Sequence, residues 1–160
     1  MKENKWIKEL DMISHPEGGY YKETYSSEEL ITEPQGSRKR WTSIYFLLEK
    51  GEVSHFHKLK SDEMWYFHDG NPLTVYMIQS NGQLVAEKLG LDIKNNEKPQ
   101  LLVPKGTIFG SAMNAEGYSL VGCMVAPGFD FQDFKLYERK ELMDKYPKHE
   151  EIITKLTREK

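Results

Sequence analysis

A single cysteine, Cys123, occurs among the 160 residues, so no internal disulfide can form, which fits a reducing compartment. It lies in the apolar run YSLVGCMVA and is expected simply to pack. Long hydrophobic stretches are missing too: no apolar run approaches the roughly 18 residues of a membrane-spanning helix. The opening MKENKWIKEL is too polar for a secretory signal, and a cytoplasmic location is expected. Neither sign of charge dominates. Against 25 acidic residues stand 22 basic ones, a net charge of -3, and without a basic patch there is no electrostatic case for nucleic acid or an anionic membrane as partner. A Gly-rich phosphate loop and a nucleotide-binding crossover pattern are also lacking. At this length one domain is expected, burying roughly 70% of the surface its unfolded chain would expose.

What is present is a series of short β signals separated by Gly, Pro and Asn. Trp41 to Leu48 (WTSIYFLL) is rich in β-branched and aromatic residues and stops at Glu49-Lys50-Gly51. Tyr20 to Tyr25, Leu73 to Gln79, Leu84 to Leu89, Leu101 to Val103, Thr107 to Ser111 and Tyr118 to Ala126 read likewise. Asn81-Gly82 marks the hairpin between Leu73 to Gln79 and Leu84 to Leu89. Eight or more such strands predict an antiparallel sandwich or barrel. Helical spacing of Trp6, Ile7, Leu10 and Met12 predicts a short N-terminal helix, Glu33 to Lys39 reads as an exposed loop, and Leu136 to Met143 and Lys148 to Lys160 read as two short surface helices.

Most of the chemistry falls in GEVSHFHKLKSDEMWYFHDG, Gly51 to Gly70. In an extended strand, a spacing of two puts the His55 and His57 imidazoles on one face and Phe56 on the other. Five residues later the chain can turn and bring Glu63 back on the neighbouring strand, giving two nitrogens and one oxygen, a set that borderline divalent metals accept. Trp65 and Phe67 share the face of Glu63 and would wall a pocket, whereas His68 faces away. Two half-buried polar histidines of an ordinary strand are the plainer alternative. His15 and Glu17, before Gly18-Gly19, read first as a solvated turn and second as loop residues that reach a ligand.

The order Gly51, His55-x-His57, Glu63, Gly70 resembles the first cupin motif, and Pro104-Lys105-Gly106 resembles the turn that opens the second. Together HPEGGYYKETY, SIYFLL, SDEMWYF, GNPL, VPKG and LVGCMVAPGFDFQDF resemble the fifth cupin family, whose members have no settled activity, and the likeness runs from about His15 to beyond Pro147. The resemblance implies an all-β fold, a double-stranded β-helix or jelly-roll barrel of the kind found in dTDP-sugar epimerases and germins. The barrel core would cover about 15–130 with a helical tail at about 133–160, and two copies would pair as a homodimer. One departure is chemical: Phe109 stands where the second motif carries a histidine ligand, and Met113 where it carries an asparagine.

Three functions are therefore expected side by side. In a metal-free epimerase or isomerase, His57 is the base, polarised by Glu63 or Asp62, and a tyrosine such as Tyr66, Tyr76 or Tyr118 is the acid. A metal enzyme would hold one zinc, iron, nickel or manganese ion on His55, His57 and Glu63. A non-catalytic module would bind a small polar metabolite against Trp65, Phe67 and Phe109. In each, HPEGGYYKET closes the barrel mouth, with Glu17, Tyr20 and Lys22 as further ligand-binding candidates.

Overall fold

The computed structural model describes residues 4–159. Two six-stranded sheets face one another. The first runs in the order Ile13–Ser14, Tyr20–Ser26, Thr42–Glu49, Tyr118–Ala126, Asp62–Gly70, Gln100–Val103; the second runs Glu97–Lys98, Leu84–Leu89, Leu73–Ile78, Ile108–Ala112, Val53–Lys58, Lys135–Leu136. From Thr42 to Ile78 successive strands alternate between the sheets, which is the winding of a jelly roll. All pairings but Glu97–Lys98 with Leu84–Leu89 are antiparallel. The Asn-Gly hairpin closes with Ile78 opposite Leu84. Among the described residues no helix is long and apolar enough to cross a membrane.

Three apolar clusters hold this arrangement. Phe46, Leu48, Trp65, Val75, Phe109 and Val121 fill the space between the sheets. Outside the first sheet, Leu47 and Leu120 are covered by Ile7 and Met12 of the N-terminal segment. Outside the second, Phe56, Ile78 and Ile108 are covered by Leu142, Ile153 and Leu156. Sheets buried on both faces explain why strands such as Thr42–Glu49 and Tyr118–Ala126 read as apolar runs instead of alternating.

Several boundaries differ from expectation. The first helix is only Lys5–Glu9, ended where Asp11 turns left-handed at φ 53. Residues 33–39 are not an open loop: Leu30–Glu33 and Gly36–Lys39 form a two-stranded ribbon around Pro34-Gln35. Its Arg38 side chain is buried and grips Asp133 through two bonds, each of 2.8 Å. That fork ties the ribbon to the aromatic segment 129–134, whose missing hydrophobic periodicity had hidden it. The tail helices are Arg139–Lys145 and Glu150–Lys155, and they do more than cover surface. Leu156 has no exposed area, and its carbonyl accepts the Phe56 N–H at 2.8 Å.

A buried Leu→Ala change costs about 2–5 kcal/mol when its site cannot collapse. Leu156→Ala is accordingly expected to lower the unfolding free energy by about that amount in a urea titration, whereas a tail merely resting on the barrel would lose well under about 1 kcal/mol.

Candidate functional site

The barrel encloses a cavity between its sheets, with a free volume of about 50 Å³, lined by His15, Glu17, Tyr21, His57, Glu63, Trp65 and Cys123 among others. That is room for a few waters or a small ligand group. His57 enters from Val53–Lys58 in the second sheet and Glu63 from Asp62–Gly70 in the first. The two strands are not the neighbours that the short connection predicts; they belong to opposite sheets and face each other across the barrel. Imidazole and carboxyl therefore share one enclosed space while His57 makes its ion pair with another residue.

That residue is Glu17. Its carboxylate lies 2.7 Å from His57 Nε2, and both side chains are buried. The segment HPEGG is a pinned turn instead of a solvated one. Gly18 N–H donates to the His15 carbonyl at 3.0 Å and His15 N–H to Gly19 at 2.9 Å. At φ +115 a side chain on Gly18 would lie 2.1 Å from the Val53 carbonyl, so only glycine lets the turn press against that strand. His55 then donates twice to the Glu17 carbonyl, from its backbone N–H at 2.7 Å and from Nδ1 at 2.6 Å. Glu17 N–H in turn donates to His15 Nδ1 at 3.1 Å, which leaves the His15 ring proton on Nε2.

Both nitrogens of His57 are committed. Nδ1 lies 2.7 Å from the His55 carbonyl, which can only accept, so Nδ1 carries a proton; Nε2 faces Glu17. The strand allows this because it bulges. Phe109 pairs with His57 and Ser111 with Ser54, so one extra residue sits between them. The bulge breaks the alternation on which a common face for the two histidines depends. His57 lines the cavity, and His55 lines a separate outer groove with Leu136, Tyr137 and Arg158.

Burial by itself would push Glu17 up and His57 down, yet their mutual attraction overrides it. Glu17 is held below the usual carboxylate range by the His57 charge and hydrogen bond. His57 is held above the usual imidazole range by Glu17, helped by the His55 carbonyl and Glu63. For Glu63 the compensation, from the His57 charge and from Trp65 and Cys123, is weaker. Burial first, then the Glu17 charge, push its pKa up to about 8, so it is a neutral acid at neutral pH. Beside it, Trp65 Nε1 lies buried with no partner at hydrogen-bond geometry, although the indole is near enough to Glu63 to favour its ionised form. Burial also raises the Cys123 thiol well above its ordinary value, which makes it a poor nucleophile.

With this geometry in hand, the family can be read. A family model described as Cupin superfamily (DUF985) matches residues 4–137. The chain belongs to the cupin superfamily. This cupin is 52% identical to a protein of Shewanella oneidensis whose crystal structure it matches over 100% of its own length and 99% of the other, with a TM-score of 0.92. It is 38% identical to a hypothetical protein of Leishmania major, covering 97% and 98%, with a TM-score of 0.91. An uncharacterised Saccharomyces cerevisiae protein is 33% identical over 144 residues, 79% of this chain and 71% of that one. Oxalate decarboxylase of Bacillus subtilis shares the fold at 19% identity and a TM-score of 0.59, over 89% of this chain and 36% of the other.

Measured against the cupin motifs, the expected three-ligand centre is not assembled. Among the described residues no group of three or more His, Cys, Asp or Glu side chains is placed to hold a metal ion. His57 has no free lone pair, and His55 points to the outer groove. Phe109 packs its ring 4.1 Å from that of His57, buttressing the imidazole where a ligand would stand.

Other expected site residues fall elsewhere. Glu63 and Trp65 line the cavity, but Phe67 only packs into the core and His68 turns outward against Tyr45. Tyr66 lies on the opposite face of its strand from Trp65, Tyr76 bonds Asn114 at 3.0 Å and Tyr118 bonds Asp69, so none of the three tyrosines reaches the cavity as an acid. Asp62 accepts the Lys105 N–H and does not polarise His57. In Tyr20–Ser26 the inward residues are Tyr21 and Glu23; Tyr20 packs against the N-terminal cluster and Lys22 is exposed. Phe129, Phe131 and Phe134 also line the cavity, and their only sequence signal is the aromatic cluster after Pro127-Gly128.

A group whose folded pKa is raised contributes stability below its unfolded pKa, lost as pH climbs toward the folded value. From about pH 4.5 to about 8, native Glu63 holds a proton that the unfolded chain releases, a loss of roughly 1.4 kcal/mol per pH unit at the limiting slope. Glu63→Gln removes it. Thermal melts of the variant are thus expected to gain on the wild type steadily from pH 5 to 8, whereas a constant difference would mean Glu63 ionises normally.

Proposed function

We propose that this cupin is a cytoplasmic enzyme that binds a small metabolite in the barrel and moves a proton on it, as an epimerase or isomerase does. One observation carries the reading. Two buried carboxyls line the same cavity, and their surroundings drive them to opposite states: Glu17 charged against His57, Glu63 neutral. Such divergence assigns a base and an acid. Glu17 accepts the proton through Oε1, which lies 3.7 Å from the unprotonated His15 Nδ1. Glu63 delivers one to the other end of the reacting unit. His57, expected as the base, instead fixes Glu17 in its charged state.

A second reading, a binding module without catalysis, draws on the ring wall of Phe46, Trp65, Phe129 and Phe134. In either case the family resemblance implies a homodimer, and the exposed Tyr25 and Leu30 are apolar surface for it.

Proton transfer at carbon can be detected before the product is known. Small carbonyl compounds, free sugars and sugar nucleotides incubated with the protein in heavy water are to be scanned by NMR for deuterium uptake. At least one compound should exchange, and Glu17→Gln and Glu63→Gln should each slow it by about 100-fold or more. The rate should fall above about pH 8 as Glu63 loses its proton. No uptake by any compound, or uptake that both variants retain, contradicts the enzymatic reading; a ligand still bound without exchange supports the binding module.

A further inference from the structure

The polar end of the cavity holds an unanswered donor. Trp65 is 1% exposed and its indole N–H has no partner at hydrogen-bond geometry, which is unfavourable for a buried donor. Nearby Glu63, whose carboxyl the Cys123 thiol also approaches, does not meet that geometry, and while protonated it has a proton of its own to donate. An oxygen placed between the indole and the Glu63 carboxyl would satisfy both.

The charge of that oxygen is constrained as well. No lysine or arginine lines the cavity among the described residues. Its one resident cation, His57, is spent on Glu17 and on the His55 carbonyl. His15 is held below its ordinary value by burial, so it stays neutral near pH 7. Glu23 adds a further acid to the lining. An anion entering here would be desolvated without a partner, which is strongly unfavourable. Around the polar end the walls are apolar or aromatic: Ile44, Phe46, Leu59, Val125, Phe129 and Phe134.

We propose that the cavity takes an uncharged molecule that presents a carbonyl oxygen to Trp65 Nε1 and lays a flat, largely apolar body against the ring wall. This rests on the reading of the cavity as the working site and names its substrate class. It excludes phosphate and pyrophosphate groups from the cavity. A carbonyl held by the indole N–H is also polarised toward its enol form, which the Glu17 and Glu63 roles require.

Three probes with one ring separate the possibilities: benzamide, benzoate and phenyl phosphate. The chain has three tryptophans, hence three indole N–H signals by NMR, and Trp65→Phe identifies the relevant one. If that variant does not fold, Trp6→Phe and Trp41→Phe identify it by elimination. Benzamide should shift the Trp65 signal saturably at millimolar concentration or below, and the two anions should bind at least about tenfold more weakly, as an unpaired buried charge demands. A Trp65 signal unmoved by benzamide, or moved as readily by either anion, overturns the proposal. This titration needs no turnover. Benzamide binding without deuterium exchange in any compound would retain this inference and remove the enzymatic reading, and the converse result would do the reverse.

Discussion

A carboxylate and an imidazole buried at 2.7 Å from one another, Glu17 and His57, set the terms for everything else in the barrel. Taking either charge out of water alone is prohibitive, and the pair survives because each also has fixed partners: the His55 carbonyl on Nδ1, and the turn of His15 to Gly19 behind Glu17. The backbone has been shaped around it. A glycine at φ +115 lets the loop close on Val53, and a bulge beside Gly110 turns His57 inward and His55 out. The tail secures the same place from outside, since the Leu156 carbonyl takes the Phe56 N–H and Arg158 bonds the Pro16 carbonyl.

The consequences run through charge. With Glu17 held ionised by His57, the second carboxyl in the same cavity, Glu63, has its pKa pushed up to about 8 by burial and by the Glu17 charge. With both its ring nitrogens engaged, His57 has neither a charge to offer an anionic ligand nor a lone pair to offer a metal. Phe109 completes this by packing against the imidazole where cupin metal sites carry a third histidine. What remains is a largely aromatic chamber in which a charged Glu17 and a neutral Glu63 face one indole N–H without a partner at hydrogen-bond geometry.

How much of this was legible beforehand depended on the length scale of the signal. Strands and turns were local: Leu84 to Leu89 and Tyr118 to Ala126 were placed residue for residue, because Asn-Gly and Pro-Gly punctuate them. Membership of the fold came from segments spread along the chain. His57, Glu63 and Trp65 were found because strand alternation holds at those positions. It failed where an extra residue enters, at His55, and a bulge leaves no mark in composition. The partner of His57 was hidden for another reason. Glu17 sits in a polar Gly-rich segment that looks solvated, and only the opposing sheet, distant in sequence, buries it. The aromatic lid at Phe129 to Phe134 depends likewise on a contact of long range, the Arg38–Asp133 fork.

The Glu17–His57 charge pair is most directly tested by following the His57 ring through a pH titration by NMR, in the wild type and in Glu17→Gln. His57 should titrate above the ordinary imidazole value of about 6.5 in the wild type and clearly lower in the variant, where only the His55 carbonyl and Glu63 still oppose burial. A His57 that titrates at or below the ordinary value in the wild type, or that is indifferent to the loss of Glu17, would contradict the account.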